Sequence, residues 1–403
     1  MTRRWLAILG IGEDGATSLS PAARQLIQDA ELVAGGARHL ALAGGLIRGE
    51  RLPWPHPIEA AIPAILARRG RPVAVLASGD PFCFGIGTML LRHVPADETR
   101  CLPAPSAFSL ACAGLGWAVQ DCATMSLCGR PIETLASVLQ PGAHVLALSA
   151  DAGTPGQVAA YLAARGFGGS VLHVMEALGG PDERVRTAPA AGFGLDRGHK
   201  LNLVAIKVAA GPGARVIPMA TGLSDALFEH DGQITKSEIR AVTLSALAPR
   251  RGALLWDVGG GAGSVGIEWL LRHPANRTVA VEARPDRAAR IARNAAALGV
   301  PRLRVIEGRA PAALSGLPPP HAVFLGGGAH EPGVIDAAWA ALPGDGRLVA
   351  NAVTIETEAA LLAARARLGG TLTRIGIERL DTVGRLHAYR PAMTVTMWVA
   401  VKP

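Results

Sequence analysis

The sequence predicts an α/β protein made of two consecutive domains, with helices packed on mainly parallel sheets. Three observations carry that prediction. Short apolar runs alternate with segments of helical period along the whole chain. Several of the runs end in Gly-rich turns that open a helix. Midway, the small, helix-breaking stretch Ala209-Ala210-Gly211-Pro212-Gly213-Ala214 interrupts the pattern, which then restarts. Hydrophobic residues make up 49%, much of it Ala, and aromatics only 4%, a composition that suits helices on parallel sheets better than an all-β sandwich. At about 150 residues per domain, 403 residues fit two or three domains. The join is expected near 210–215, with domains over 1–210 and 211–403.

Taken in order, Leu6–Leu9 reads as a buried strand and Pro21–Ala30 as a helix, with Ser20 as cap and Pro at its first position. Val73–Ala77 is a strand that ends in Ser78-Gly79-Asp80-Pro81, and Phe82–Gly87 runs into a helix. Pro103–Ser109 is a rigid turn at a helix start. Val145–Leu148, Val171–Val174 and Leu203–Val208 are further strands. In the second half Ser237–Leu247 reads as a helix with Thr235 as candidate cap, and Leu254–Val258 as a strand running into the Gly259–Gly263 loop. Helices at Ile267–Leu271 and Asp286–Leu298 then alternate with strands at Thr278–Glu282, Leu303–Glu307, Ala322–Leu325 and Arg347–Ala350. Thr394–Val401 is apolar and β-rich. The halves show no internal repeat.

Charge and cysteine usage narrow the function classes. The formal net charge of +8 points to acidic partners, but no dense Lys/Arg block is interleaved with aromatics and there are only 2 Tyr, so no nucleic-acid partner is expected. Five Cys, an odd number without a CxxC pair, argue for reduced thiols in the cytoplasm, sitting in the core rather than acting as nucleophiles. Eleven dispersed His without HxxxH or HExxH argue against a metal cage. The opening Thr2-Arg3-Arg4 and apolar run imitate a signal peptide, but Glu13 and Asp14 stand where a cleavage site belongs. No uncharged apolar stretch of about 18 residues occurs, so no membrane span is expected.

The strongest local signal is Asp257-Val258-Gly259-Gly260-Gly261-Ala262-Gly263 after an apolar strand, with Val279-Ala280-Val281-Glu282 about twenty residues on. Clustered Gly lets backbone approach a ligand, and a carboxylate at the next strand tip can take both hydroxyls of a ribose. Gly261-Ala262-Gly263-Ser264-Val265-Gly266 also matches GxGxxG, so a nicotinamide dinucleotide and an oxidoreductase remain open beside S-adenosylmethionine and a methyltransferase. The Asp-x-Gly opening and the polar turn Gly308-Arg309-Ala310-Pro311 favour S-adenosylmethionine, which carries no pyrophosphate. An RNA methyltransferase would account for the basic charge.

Resemblance sharpens this reading. Through Glu229–Lys236, the Gly loop, Phe324–Gly328 and Asn351–Thr354, the second half, from about 220 to 400, resembles the Rossmann-like class I methyltransferases that act on precorrins. The resemblance implies that Thr235, Gly259, Gly260, Gly261, Ala262, Gly263, Glu282 and Ala310 contact S-adenosylmethionine. His330, Glu331 and Asn351 are the acceptor-side candidates. Through Ser78–Pro81, Gly85–Gly87, Pro105–Ala107 and Cys128–Pro131, residues 4–210 resemble the tetrapyrrole methylases, a class III methyltransferase fold of two α/β subdomains. That resemblance puts Glu13, Gly79, Asp80, Ser106, Ala107 and Ala205 near a second S-adenosylmethionine. The domain order is similar to the fused, decarboxylating precorrin methyltransferases of the cobalamin route. It implies methylation at C5 by the first domain and at C15 by the second, with loss of the C12 acetate carboxyl. The substrate would be a polycarboxylate tetrapyrrole, which scattered Arg side chains suit, and relatives of both halves imply a homo-oligomer.

Overall fold

The computed structural model describes residues 4–403, which form two compact units: 4–132 with 140–215, and 133–139 with 216–403. The sequence-predicted join falls a few residues before Val216.

In the first unit, β1 (Leu6–Ile11), β2 (Leu32–Gly35), β3 (Glu50–Pro53), β4 (Val73–Ser78) and β5 (Thr99–Leu102) form a five-stranded sheet, ordered β3-β2-β4-β1-β5 and parallel throughout. β1 reads Leu-Ala-Ile-Leu-Gly-Ile and is buried along its whole length, as a strand covered on both faces must be. Helix α1 (Pro21–Asp29) starts where the sequence indicates: Ser20 Oγ accepts from Ala23 N and Pro21 is its first residue. α2 (Ala37–Ala43), α3 (Ile62–Leu66) and α4 (Gly87–Leu90) are short, and α5 (Ala107–Leu115) is capped by Ser106. A second sheet follows from β6 (Cys122–Ser126), β7 (His144–Leu148), β8 (Val171–Glu176), β9 (Arg184–Pro189) and β10 (Asn202–Lys207), with α6 (Thr154–Ala164) after β7. Its order is β6-β7-β10-β8-β9, and only β6–β7 is parallel.

The second unit holds a seven-stranded sheet ordered β13-β12-β11-β14-β15-β19-β16. Its strands are β11 (Leu254–Val258), β12 (Arg277–Glu282), β13 (Arg304–Glu307), β14 (Ala322–Leu325), β15 (Arg347–Ala352), β16 (Thr371–Ile375) and β19 (Val395–Val401), the last antiparallel to both neighbours. Helices α7 (Ser237–Leu247), α8 (Ser264–Arg272), α9 (Pro285–Ala297), α10 (Val334–Ala341) and α11 (Ile355–Leu368) complete the layers. β17 (Glu378–Val383) and β18 (Leu386–Pro391) form a separate hairpin, exposed at every residue. β12 and β14 flank β11 on opposite sides, so the connections leaving the two neighbours diverge and open a crevice at the strand tips.

Two sequence expectations are corrected. Thr235 does not cap α7: Lys236 occupies that position without a side-chain cap, and the Thr235 carbonyl accepts from Arg240 instead. α8 begins at Ser264, directly after the loop, because Gly263 is itself the N-cap residue. Cysteine burial is also uneven, with Cys112 in the core but Cys128 exposed. Among the described residues no helix is long and apolar enough to cross a membrane.

Candidate active sites

In the second unit the crevice widens into a cavity of about 640 Å³. Gly259, Gly260, Gly261, Ala262, Thr235, Glu282, Ala310, His330, Glu331 and Asn351 all line it. Gly263 does not. A Cβ there would stand 2.7 Å from Ile291 Cγ2, so Gly263 lets α8 and α9 close on each other rather than facing a ligand.

The loop geometry follows from its glycines. Gly259 has φ +71°, and a Cβ on it would lie 2.8 Å from Gly327 N. Only Gly allows the turns after β11 and β14 to meet backbone to backbone there. Glu282, at the tip of β12 and 6% exposed, accepts from Gly261 N at 2.8 Å and from Arg284 N at 3.0 Å. A carboxylate acceptor is thereby held beside the bare loop, on the wall of the cavity. Asp257 is fully buried one strand over. Its Oδ2 accepts from Gly266 N at 2.9 Å, while burial, reinforced by the Glu282 charge, pushes its carboxyl up to about 7.

Sequence reasoning missed the groups that hold the entrance loop. Arg240 and Glu268 are both 0% exposed and paired at 2.5 Å. Glu268 also accepts from Gly222 N and Leu223 N, and Arg240 donates to the carbonyls of Leu223 and Thr235 and to Asp225. The pair ties the segment bearing Thr235 to α7 and α8. Asn294 does the same one layer over, donating to the carbonyls of Glu229 and Ala262 and accepting from Glu229 N. The clue in the sequence was a charged pair on faces of α7 and α8 otherwise committed to the core.

On the acceptor side, Asn351 Nδ2 donates to Thr243 Oγ1 at 2.9 Å, and its Oδ1 is buried without a hydrogen-bond partner. His330 Nδ1 lies 3.4 Å from Thr357 Oγ1 and its Nε2 3.8 Å from Glu331, whose carboxylate also pairs with Arg309 at 3.2 Å. Cations predominate in the lining: Lys236, Arg284, Arg287, Arg309 and Arg379 against Glu238, Glu282 and Glu331. Arg309 and Arg379 pair with Glu331 and Glu238 in exposed ion pairs, which are weak enough to exchange for a ligand's carboxylates.

In the first unit Gly79, Asp80 and Ser106 gather at the C-terminal end of β4. Gly79 has φ +54°, and a Cβ on it would lie 2.7 Å from Pro105 O and 3.1 Å from Ser106 Cα. The Ser78–Pro81 and Pro103–Ser106 turns therefore abut. Asp80 Oδ1 accepts from Phe82 N at 2.8 Å, and Ser106 Oγ accepts from Ser109 N at 3.1 Å. Ala107 packs against the core cluster that contains Ala205, which is 0% exposed in the middle of β10. Glu13, two residues past β1, pairs with Arg38.

These two folds and sites define a pair of joined methyltransferase domains. Residues 6–193 match the tetrapyrrole (corrin/porphyrin) methylases and residues 226–402 the precorrin methyltransferase domain. A precorrin-6Y C(5,15)-methyltransferase [decarboxylating] from Sinorhizobium sp is 56% identical over 98% of this chain and 95% of its own length. The protein of that name from Mycobacterium tuberculosis (strain CDC 1551 / Oshkosh) is 40% identical over 98% of this chain and all of its own. The chain belongs to the precorrin-6Y C5,15-methyltransferase (decarboxylating) family, enzymes of cobalamin biosynthesis. Among solved structures, the C-terminal domain of precorrin-6Y C5,15-methyltransferase from Rhodobacter capsulatus is 45% identical, with TM-score 0.44, and covers 46% of this chain and 100% of that one.

Proposed function

We propose that this chain methylates precorrin-6B at C5 in its first domain (1–210) and at C15 in its second (211–403). The second domain also removes the C12 acetate carboxyl, to give precorrin-8X. The observation that carries the reading is the meeting of the Gly261 N–H and the Glu282 carboxylate on a cavity of about 640 Å³, a volume typical of small-molecule sites.

S-adenosylmethionine fits that lining: Gly259–Ala262 for close backbone approach, Glu282 for the ribose, Thr235 and Ala310 at the sides. When bound it supplies a methyl group already activated on a sulfonium. The protein's own work is alignment, which can supply a large part of a rate enhancement without any strong base. Arg309 and Arg379 exchange their carboxylate partners for those of the macrocycle. His330 is the proton donor for the carbon that loses its carboxyl, with Glu331 and Thr357 orienting the ring and Asn351 bordering the acceptor. In the first unit Gly79, Asp80, Ser106 and Ala107 hold the second donor, with Ala205 beneath them. The reading carries with it a cytoplasmic homo-oligomer acting on a small polycarboxylate rather than on nucleic acid.

Incubation with precorrin-6B and labelled S-adenosylmethionine, followed by mass, tests it. Two methyls gained and one CO2 lost is the expected result; retention of the carboxyl or a single methyl contradicts it.

A further inference from the structure

At the C-terminal edge of the first sheet three polar atoms form a closed triangle. Arg38 Nη2 is 2.7 Å from Ser78 Oγ and 3.0 Å from His39 Nε2, and His39 Nε2 is 2.8 Å from Ser78 Oγ. Arg38 pairs on its other side with Glu13. Ser78 is the last residue of β4, exposed, and directly precedes Gly79. A Cβ on Gly180, in the turn after β8, would lie 2.5 Å from Glu13 Cβ, so the second sheet of this unit approaches the same edge.

One placement of the hydrogens makes this triangle a proton relay. A guanidinium only donates. In the tautomer with Nε2 bare and the ring proton on Nδ1, Nε2 faces both the Arg38 and the Ser78 donors as an acceptor. Nδ1 is buried without a partner. In that tautomer the Ser78 hydroxyl receives from Arg38 and turns its own hydrogen to Nε2. One lone pair of an exposed oxygen is left free, backed by an unprotonated imidazole. Burial, followed by the Arg38 charge, pushes the His39 imidazole down to about 4, which keeps it a proton acceptor at neutral pH.

We propose that Ser78 and His39, held by Arg38 and Glu13, are the proton-accepting relay for methyl transfer in the first unit. This rests on the reading that donor and acceptor meet beside Gly79 and Ser106. Methylating a meso carbon that bears hydrogen forms one C–CH3 bond, breaks the S–CH3 bond of the sulfonium donor and requires one C–H proton to leave. That proton passes to Ser78 Oγ as the Ser78 hydrogen passes to His39 Nε2. The sulfur keeps the bond pair and leaves as a neutral thioether. The imidazolium formed beside Arg38 is unfavourable, so it returns its proton to solvent and resets the relay.

The test uses the full chain with precorrin-6B and S-adenosylmethionine. Ser78→Ala and His39→Ala should each slow C5 methylation by about a hundredfold or more. C15 methylation, CO2 loss and two bound donor molecules per chain by calorimetry should persist. Added imidazole should partly restore His39→Ala, and 15N NMR of the wild type should show a bare Nε2. Wild-type C5 rates in both variants, a protonated Nε2 at neutral pH, or loss of donor binding without imidazole rescue would overturn the relay. Binding of one donor by the wild type would overturn the two-site reading instead.

Discussion

Glu282→Ala removes the carboxylate that both shapes the donor loop and would receive the ribose. In the folded chain that carboxylate accepts two backbone N–H groups, at 2.8 and 3.0 Å, while only 6% exposed. Hydrogen bonds to charged groups are worth about 1.5–3 kcal/mol each. Losing a comparable pair to the ribose therefore weakens binding by about 3 kcal/mol at least, and at about 1.4 kcal/mol per tenfold this is a hundredfold or more. Titrating the full chain with S-adenosylmethionine should show two donor sites in the wild type and one in the variant. Glu282→Gln, which keeps one acceptor oxygen but no charge, should fall between them. By mass, the alanine variant should add a single methyl, at C5. Two donors bound at unchanged affinity, or loss of both methylations, would refute the assignment of Glu282.

Three further outcomes follow from buried charge. Glu268→Ala strands the Arg240 guanidinium, and breaking a buried pair this way should destabilise the second unit by about 3–5 kcal/mol, read from its denaturant midpoint. The Asp257 carboxyl titrates higher in the folded chain, about 7, than in the unfolded one. It therefore favours folding below about pH 4 and loses that contribution as pH rises through 7, so Asp257→Asn should flatten the decline, by a few kcal/mol at most. His39 titrates lower when folded, about 4, than when unfolded. Its contribution is complete above about pH 6.5 and falls away by up to about 3 kcal/mol towards pH 4. His39→Gln should abolish that acid-side loss, as measured by urea unfolding across the window.

The elements most legible in the sequence were those whose burial leaves a simple pattern. β1, β4, β11 and β14 are apolar runs because both their faces are covered, and each ends at a Gly or a polar turn. α1 was readable from Ser20 and Pro21 alone. Strands of four residues such as β2, β3 and β5 gave too short a period to distinguish from loop. β9 was hidden because it is mostly exposed and carries Arg184 and Arg186. The exposed hairpin β17–β18 has no core-facing alternation to betray it.

Local sequence determined which backbone stretches are bare and where an acidic tip follows, since a glycine's freedom and a strand's burial are properties of neighbours along the chain. What faces what was decided only in three dimensions. Gly263 and Gly261 are two residues apart, yet one packs on Ile291 and the other on the Glu282 carboxylate. Ser78 lies 40 and 39 residues from Arg38 and His39, and they meet because parallel pairing brings the tips of β2 and β4 side by side. Sheet order, which no single strand encodes, sets those encounters, because it depends on the summed packing of helices over both faces of the sheet.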